Sequence, residues 1–312
     1  MKAFRFVCIL IVAAMVLSAC ASATTAAPTA PPAPTAVSTV PPAAPTPVAQ
    51  IPEGTLVEPG GKLVICSDIP YPPQEYFDEN GDAQGLDIDI GNEIAKRLGL
   101  KADYVNTVFD SIVAAVAAKK CDIIISAMNI TDDRNKQVSM IPYFQAGMAF
   151  VVQKGNPKNI NSPTDLCGQP VAAESGTTEA QYINGTDDYT GKGLSEECTK
   201  AGKQPINLVV TQKDTDALQQ LQTGKVVAYF ADSPVAAYYT VQHPDQFQLV
   251  PQVLNPAVEG INMACDQTDC TNAPLTPLGQ AVKTSLQSMM ADGTYLQILK
   301  KWNLQDGAVT LP

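Results

Sequence analysis

With 312 residues the chain can form two lobes with cores of their own, and its 45% hydrophobic and 16% charged content is ordinary for a globular protein. Its net charge of −11 argues against nucleic acid or an anionic membrane face as a partner. The single histidine, His243, rules out a Cys/His zinc cluster and, standing before Pro244, reads as a turn residue; no metal and no cofactor are expected.

Taken in order, the chain begins with Lys2 and Arg5 before an apolar run from Phe6 to Leu17, closed by Leu17-Ser-Ala-Cys20. A charged start, a short apolar middle and a small-residue end are the parts of an export signal. Because the last residue is cysteine, the stretch resembles a bacterial lipobox. That resemblance implies a signal peptide over 1–20 and a Cys20 that carries acyl chains such as palmitate. It also implies an extracytoplasmic protein, periplasmic or on the outer face, anchored to the cell membrane. Residues 21–54 are Ala, Thr and Pro with almost no charge and no periodicity, so they read as a disordered tether. Fully extended, it reaches on the order of 100 Å at about 3.1 Å per residue. No later segment approaches the roughly 18 apolar residues of a membrane span.

From Gly61 the pattern changes. Lys62–Cys66 reads as a strand, Glu79–Asp82 as a turn, and Asp87–Leu98 as a helix with Ile88, Ile90, Ile94 and Leu98 on one face. Tyr104–Asn106 is a second strand, Asp110 caps a helix over Ser111–Ala118, and Cys121–Ser126 is a third strand. After it, Thr131 caps a helix whose first turn holds Asp132, Asp133 and Arg134. A second series follows: strands at Ala149–Gln153, Pro170–Ala173, Ile206–Val210 and Val226–Ala231, and helices at Thr177–Ile183 and Asp216–Leu221. Ser233 and Pro234 stand as N-cap and first residue of a helix to Val241. Gly260–Ala264 is a returning strand, and helices over Leu278–Met290 and Thr294–Trp302 close the chain. The β-α-β alternation predicts parallel α/β sheets, with the second half inserted into the first.

Six cysteines fall in this body, and export implies that disulfides persist. Cys265 and Cys270 are expected to form a local bridge, and Cys167 and Cys198 to close a loop of about 30 residues, a tie worth roughly 2–4 kcal/mol. Cys66 ends one strand and Cys121 begins another; those ends of a parallel pair lie apart, so two free buried thiols are expected. No histidine stands beside any cysteine to activate it.

Five motifs recur in one order: Ser67-Asp-Ile-Pro-Tyr-Pro-Pro, Gly85-Leu-Asp-Ile-Asp-Ile, Cys121-Asp-Ile-Ile-Ile-Ser-Ala-Met-Asn-Ile-Thr-Asp-Asp-Arg134, Glu174-Ser-Gly-Thr-Thr and Asp292-Gly-Thr-Tyr. Together they resemble the amino-acid-binding members of the bacterial extracellular solute-binding proteins that serve ABC importers, over about residues 61–304. The resemblance implies a periplasmic-binding-protein-like α/β fold: two lobes joined by two crossover strands near 146–149 and 255–259, with ligand clamped between them. Residues 55–147 and 258–312 then form the first lobe and 148–257 the second.

The residues themselves agree. Arg134 offers a planar fork that takes a carboxylate in two parallel hydrogen bonds, although an arginine at a helix start can equally pair Asp132 or Asp133. Ser175-Gly-Thr-Thr178 opens a helix and so forms a second anion seat. By the resemblance, Thr178 contacts the ligand carboxylate with Thr177 beside it. Asp232 holds the α-ammonium together with acceptors near Ser126, Ala127 and Asn129, and Tyr71 and Phe109 cover the side chain. Asp68 and Glu174 stand near the end of that side chain, and being acidic they favour a basic or polar amino acid. Asp68 can instead hydrogen-bond its own loop. Gln74 takes the place of the aromatic usual after the prolines. The expected function is a monomeric, membrane-tethered receptor that binds an amino acid and delivers it to the permease of an ABC importer, and not an enzyme. The alternatives are a dehydratase on the same scaffold, for which Glu174 is the acid–base group at hand, or a ligand-presenting component of a signalling receptor.

Overall fold

A computed structural model describes residues 51–311. The signal, Cys20 and the tether up to residue 50 lie outside the described residues. Of the expected tether, Ile51 is half-buried against the first-lobe core, while Pro52, Glu53 and Gly54 are exposed.

Strand β1 (Lys62–Ser67) shows how the sequence builds the first lobe. Leu63 and Ile65 point to one face of the sheet and Val64 and Cys66 to the other, and all four are buried. A strand covered on both faces needs an unbroken apolar run rather than an alternating one. Following it are the hairpin β2 (Tyr76–Phe77) and β3 (Ala83–Gln84), helix α1 (Leu86–Arg97), β4 (Lys101–Asn106), α2 (Phe109–Ala117), β5 (Ile123–Ile124) and α3 (Asp132–Asn135). Leu86, Ile90 and Ile94 of α1 pack on the Leu63/Ile65 face, and Ile112 and Val116 of α2 on the other.

Strand β6 (Ser139–Gln153) then runs out of this lobe into the next. The second lobe holds β7 (Pro170–Glu174), α4 (Thr178–Asn184), α5 (Leu194–Lys200), β8 (Asn207–Thr211), α6 (Asp214–Gln222), β9 (Ala228–Asp232) and α7 (Ser233–Gln242). Strand β10 (Phe247–Met263) returns, and α8 (Pro277–Asp292) and α9 (Thr294–Lys301) complete the first-lobe core with Val282, Leu286 and Leu299. One eight-stranded sheet runs β4-β1-β5-β10-β6-β9-β7-β8. β1 is parallel to β4 and β5, and β7 to β8 and β9. The antiparallel ribbon of β6 and β10 forms the middle.

That ribbon joins the lobes. Along β6, Ala146 belongs to the first-lobe core and Met148 to the second; along β10, Leu254 belongs to the second and Ile261 to the first. The register slips between Leu249 and Val253, between Leu254 and Ala257, and at Glu259/Gly260, as β-bulges do where a strand must bend. Gly147 sits at the crossing because a Cβ there would come within 2.4 Å of Val253.

Several expectations need correction. The crossing strands run 15 and 17 residues, far beyond the short pieces predicted at Ala149–Gln153 and Gly260–Ala264. Val108, not Asp110, is the cap residue of α2, and Asp232 occupies the N-cap position of α7, which places Ser233 within the helix. Cys198 lies in α5, which the sequence pattern did not reveal, and bonds Cys167 as expected, as Cys265 bonds Cys270. Cys66 and Cys121, expected as free thiols, form a disulfide with Cα atoms 5.7 Å apart. The expectation failed because Cys121 precedes the strand: β5 pairs only from Ile123, and Asp122 N–H bonds the carbonyl of Val64. Cys121 therefore enters beside β1, under α2, on the face to which Cys66 points.

Candidate functional site

Chain segments leaving the carboxyl ends of four parallel strands meet between the lobes, the place where open α/β sheets offer loops and helix starts to a ligand. From β1 comes Asp68, from β5 Ser126, from β7 Glu174, and β9 ends in Asp232. They line one small, closed pocket together with Tyr71, Phe109, Ala127, Asn129, Arg134, Thr177 and Thr178. All of the residues expected around a ligand thus share one cavity, and the structure adds Glu75 and Glu179.

Arg134 is held from below by its own helix start: the Thr131 hydroxyl accepts from Arg134 N–H at 3.2 Å. Its guanidinium is buried, donates through Nη1 to the carbonyl of Asn129 and through Nη2 to that of Gly176, both at 2.9 Å, and lies 5.4 Å from the centre of the Phe109 ring. Asp133 pairs Lys136 instead, so the surface pairing of Arg134 is not adopted. On the opposite lobe the Thr177 hydroxyl caps α4, accepting from Ala180 N–H at 3.3 Å.

Gly176 belongs to the second lobe, so the Arg134 bond crosses the cleft. The Thr178 hydroxyl likewise donates to Asn129 Oδ1 at 2.6 Å. The Tyr71 hydroxyl donates to Asp232 Oδ2 and accepts from Asp232 N–H, each at 3.0 Å. Lys213 donates to Asp68 Oδ1. The lobes are closed on each other.

Asp232 makes no side-chain cap bond to α7 although it stands at the cap position; its carboxylate turns into the cleft instead. Asp68 does not bond its own loop: Oδ2 accepts from Phe109 N–H at 2.6 Å, across to the start of α2. Gln74 is fully buried but lies outside the pocket, donating to Glu259 Oε2 at 3.0 Å. His243 is exposed at the end of α7.

Five carboxyls line this cavity (Asp68, Glu75, Glu174, Glu179 and Asp232) against one guanidinium. Burial is the main force on Glu75, Glu174, Glu179 and Asp232. It pushes Glu174 up to about 10, with Asp68 and Asp214 adding to the effect, and raises Glu179 to about 6. It lifts Asp232 and Glu75 well above the carboxylate range, helped by Glu179 for the first and Asp87 for the second. Glu75 Oε2, Glu174 Oε1, Glu179 Oε1 and Asp232 Oδ1 are buried with no hydrogen-bond partner among the described residues. Buried acceptors of this kind stay uncompensated unless a donor reaches them. Glu75 sits in the same prolyl loop as Asp68, and Glu179 directly follows Thr178. Glu179 stands in the first turn of α4, where a carboxylate is ordinary, so only the fold separates it from a solvent-facing one.

Two α/β lobes joined by a bent two-stranded ribbon and closed over a charged cavity define a binding protein of the bilobal, cleft-closing class. The chain belongs to the bacterial extracellular solute-binding proteins, family 3, which it matches over residues 63–305. It is 27% identical over 233 residues to the ABC transporter arginine-binding protein 1 of Escherichia coli (strain K12), covering 74% of this chain and 86% of that one. Among solved structures it is similar to an ancestral arginine-binding protein bound to arginine, at 32% identity and a TM-score of 0.67, covering 78% of this chain and 98% of the other. It is also similar to the ancestral amino acid-binding protein AncCDT-1, a precursor of cyclohexadienyl dehydratase, at 31% identity and a TM-score of 0.63, covering 78% and 95%. Among the described residues no helix is long and apolar enough to cross a membrane.

Proposed function

We propose that this protein captures an amino acid with a cationic side chain between its lobes and presents it to an ABC importer. The observation that carries the reading is the excess of buried carboxyls over cations in the pocket, with four carboxylate oxygens unpartnered among the described residues. Such a cavity repels an acidic ligand and rewards one that brings N–H donors and positive charge.

In this reading Arg134 and the start of α4 at Thr178 hold the ligand carboxylate. Asp232 and Glu179 receive the α-ammonium, and Tyr71 and Phe109 cover the carbon chain. Glu75, Glu174 and Asp68 face its charged end. The arginine-binding names of the relatives support this assignment, and retention of Arg134, Thr178 and Asp232 supports binding rather than catalysis. Lobe closure is the response: a ligand that touches both lobes only when they are shut favours the shut state. Anchoring through lipid on Cys20, on the outer side of the membrane, belongs to the same proposal and rests on Leu17-Ser-Ala-Cys20. Palmitate labelling that disappears in Cys20→Ala tests it.

The test of the ligand class is a thermal-shift screen of the standard amino acids with ornithine and citrulline. A ligand bound only by the folded protein at about 100 times its dissociation constant stabilises it by roughly 2.7 kcal/mol. Shifts confined to arginine, lysine, ornithine or histidine carry the reading, and a shift with glutamate or aspartate alone sinks it. A dehydratase remains the second reading because burial keeps Glu174 protonated, as a general acid requires. Turnover of a prephenate-like substrate, lost in Glu174→Gln, distinguishes it.

A further inference from the structure

Lys213 stands at the N-cap position of α6, at the cleft edge of the second lobe. Its ammonium reaches over to the first lobe, donating to Asp68 Oδ1 and, at 3.5 Å, to Asn106 Oδ1. Among the described residues this is the one pair of opposite charges that bridges the lobes. The Lys213 side chain is 27% exposed and the Asp68 side chain 6%, so the pair sits at the rim with its acidic member inside. Lys213 itself does not line the pocket. Asp68 is therefore engaged on both oxygens once the cleft is shut, one by the α2 backbone and one by a cation of the opposite lobe.

We propose that Lys213 is a specificity-determining residue: on closure it supplies the counter-charge of Asp68, and so sets how strongly the pocket prefers a cationic side chain over a neutral one. This rests on the reading of the cavity as an amino-acid site. With Lys213 in place, Asp68 has little pull left for a ligand cation, and that task falls to Glu75 and Glu174. The Lys213 charge also acts on Glu174, whose protonated state it opposes. A neutral side chain is tolerated better because one pocket carboxylate is already paired. Without Lys213, Asp68 becomes a buried, unpaired carboxylate facing the ligand, and discrimination sharpens.

The experiment measures arginine and citrulline, which differ by guanidinium against urea, by calorimetry on the full-length chain. Lys213→Met and Lys213→Gln should raise the ratio of the citrulline to the arginine dissociation constant by on the order of tenfold, the effect of one charge removed at the rim of the cavity. Asp68→Asn should lower that ratio, since it leaves Lys213 unopposed beside the ligand, and the double variant Asp68→Asn/Lys213→Met should return it toward the wild-type value. Lys213→Arg should leave it unchanged. If Lys213 merely braces α6, both ligands weaken together, the ratio stays constant and the inference is overturned. Wild-type protein that binds neither ligand overturns this inference, and overturns the site reading as well if lysine, ornithine and histidine also fail to bind. Wild-type protein that binds arginine, with the ratio unmoved by any of these changes, overturns the inference alone.

Discussion

Replacing Arg134 by alanine isolates the one cation of the pocket. The guanidinium has five N–H donors, and the structure gives one each from Nη1 and Nη2 to the carbonyls of Asn129 and Gly176. Three remain for a ligand carboxylate, enough for a two-pronged contact. Truncating one partner of a buried, hydrogen-bonded charge pair costs about 2–5 kcal/mol, so affinity for a free amino acid should fall by roughly 30-fold to several thousand-fold. Part of that loss comes from closure, because the Gly176 bond that joins the lobes goes too. Arg134→Lys keeps the charge without the fork and should fall between the two. Calorimetric titration with arginine measures the affinity, and the melting temperature of the unliganded variants separates misfolding from lost contact. An Arg134→Ala protein that melts like the wild type and binds arginine within about threefold of it would falsify the assignment of Arg134 as the carboxylate seat.

Three further outcomes follow from particular contacts. Asp214 is buried beneath the Tyr229 and Tyr239 hydroxyls, and burial raises its carboxyl to about 7, whereas an unfolded aspartate titrates near about 3.9. Between those values the folded chain holds a proton that the unfolded chain has lost. The stabilisation is complete below about pH 4 and disappears as pH rises through about 7. The unliganded melting temperature should therefore drop between pH 5 and pH 8 and Asp214→Asn should flatten the slope; a wild-type melting temperature that climbs over that range contradicts this. Gly176 has φ +78°, and a Cβ there would lie 2.9 Å from the Asp110 Cα across the cleft. Gly176→Ala should weaken ligand by about tenfold or more through the closing step, at a strain cost of about 1–2 kcal/mol, with ligand-saturated protein larger by small-angle scattering than the wild type. An equally compact liganded variant speaks against that. The Cys66–Cys121 bridge spans a sequence separation of 55, for which the chain-entropy relation gives about 4 kcal/mol. Replacing both by alanine should lower the melting temperature by several degrees, and mass spectrometry without reduction should find neither thiol alkylated in the wild type.

The local parts of this fold were legible because their causes are local. Apolar runs of strand length, the Thr131 cap, and the alternation of strand and helix are written within a few residues of one another. The pocket-lining set was legible for another reason: it sits in motifs whose order resembles the family, and Arg134, Thr178 and Asp232 do line one cavity. The length of the crossing strands was not: the resemblance implied crossings near 146–149 and 255–259, but β6 and β10 read as short pieces at Ala149–Gln153 and Gly260–Ala264. Their continuity comes from pairing with each other, a contact between residues about a hundred positions apart.

By itself, then, the sequence determined most of the strands and helices, though not α5 or the length of β6 and β10, and which side chains stand at the carboxyl ends of the parallel strands. Only the tertiary structure decided that Cys121 approaches β1 beside Cys66, that Asp232 bonds Tyr71 instead of capping its helix, and that Glu75 and Glu179 join the cavity. It alone brought Lys213 to Asp68, 145 residues away in the chain. The cysteine pairing is decided inside the first lobe by the path of Cys121 before β5; the cleft contacts depend on the closed arrangement of two lobes, and no interval of sequence encodes a distance across a cleft.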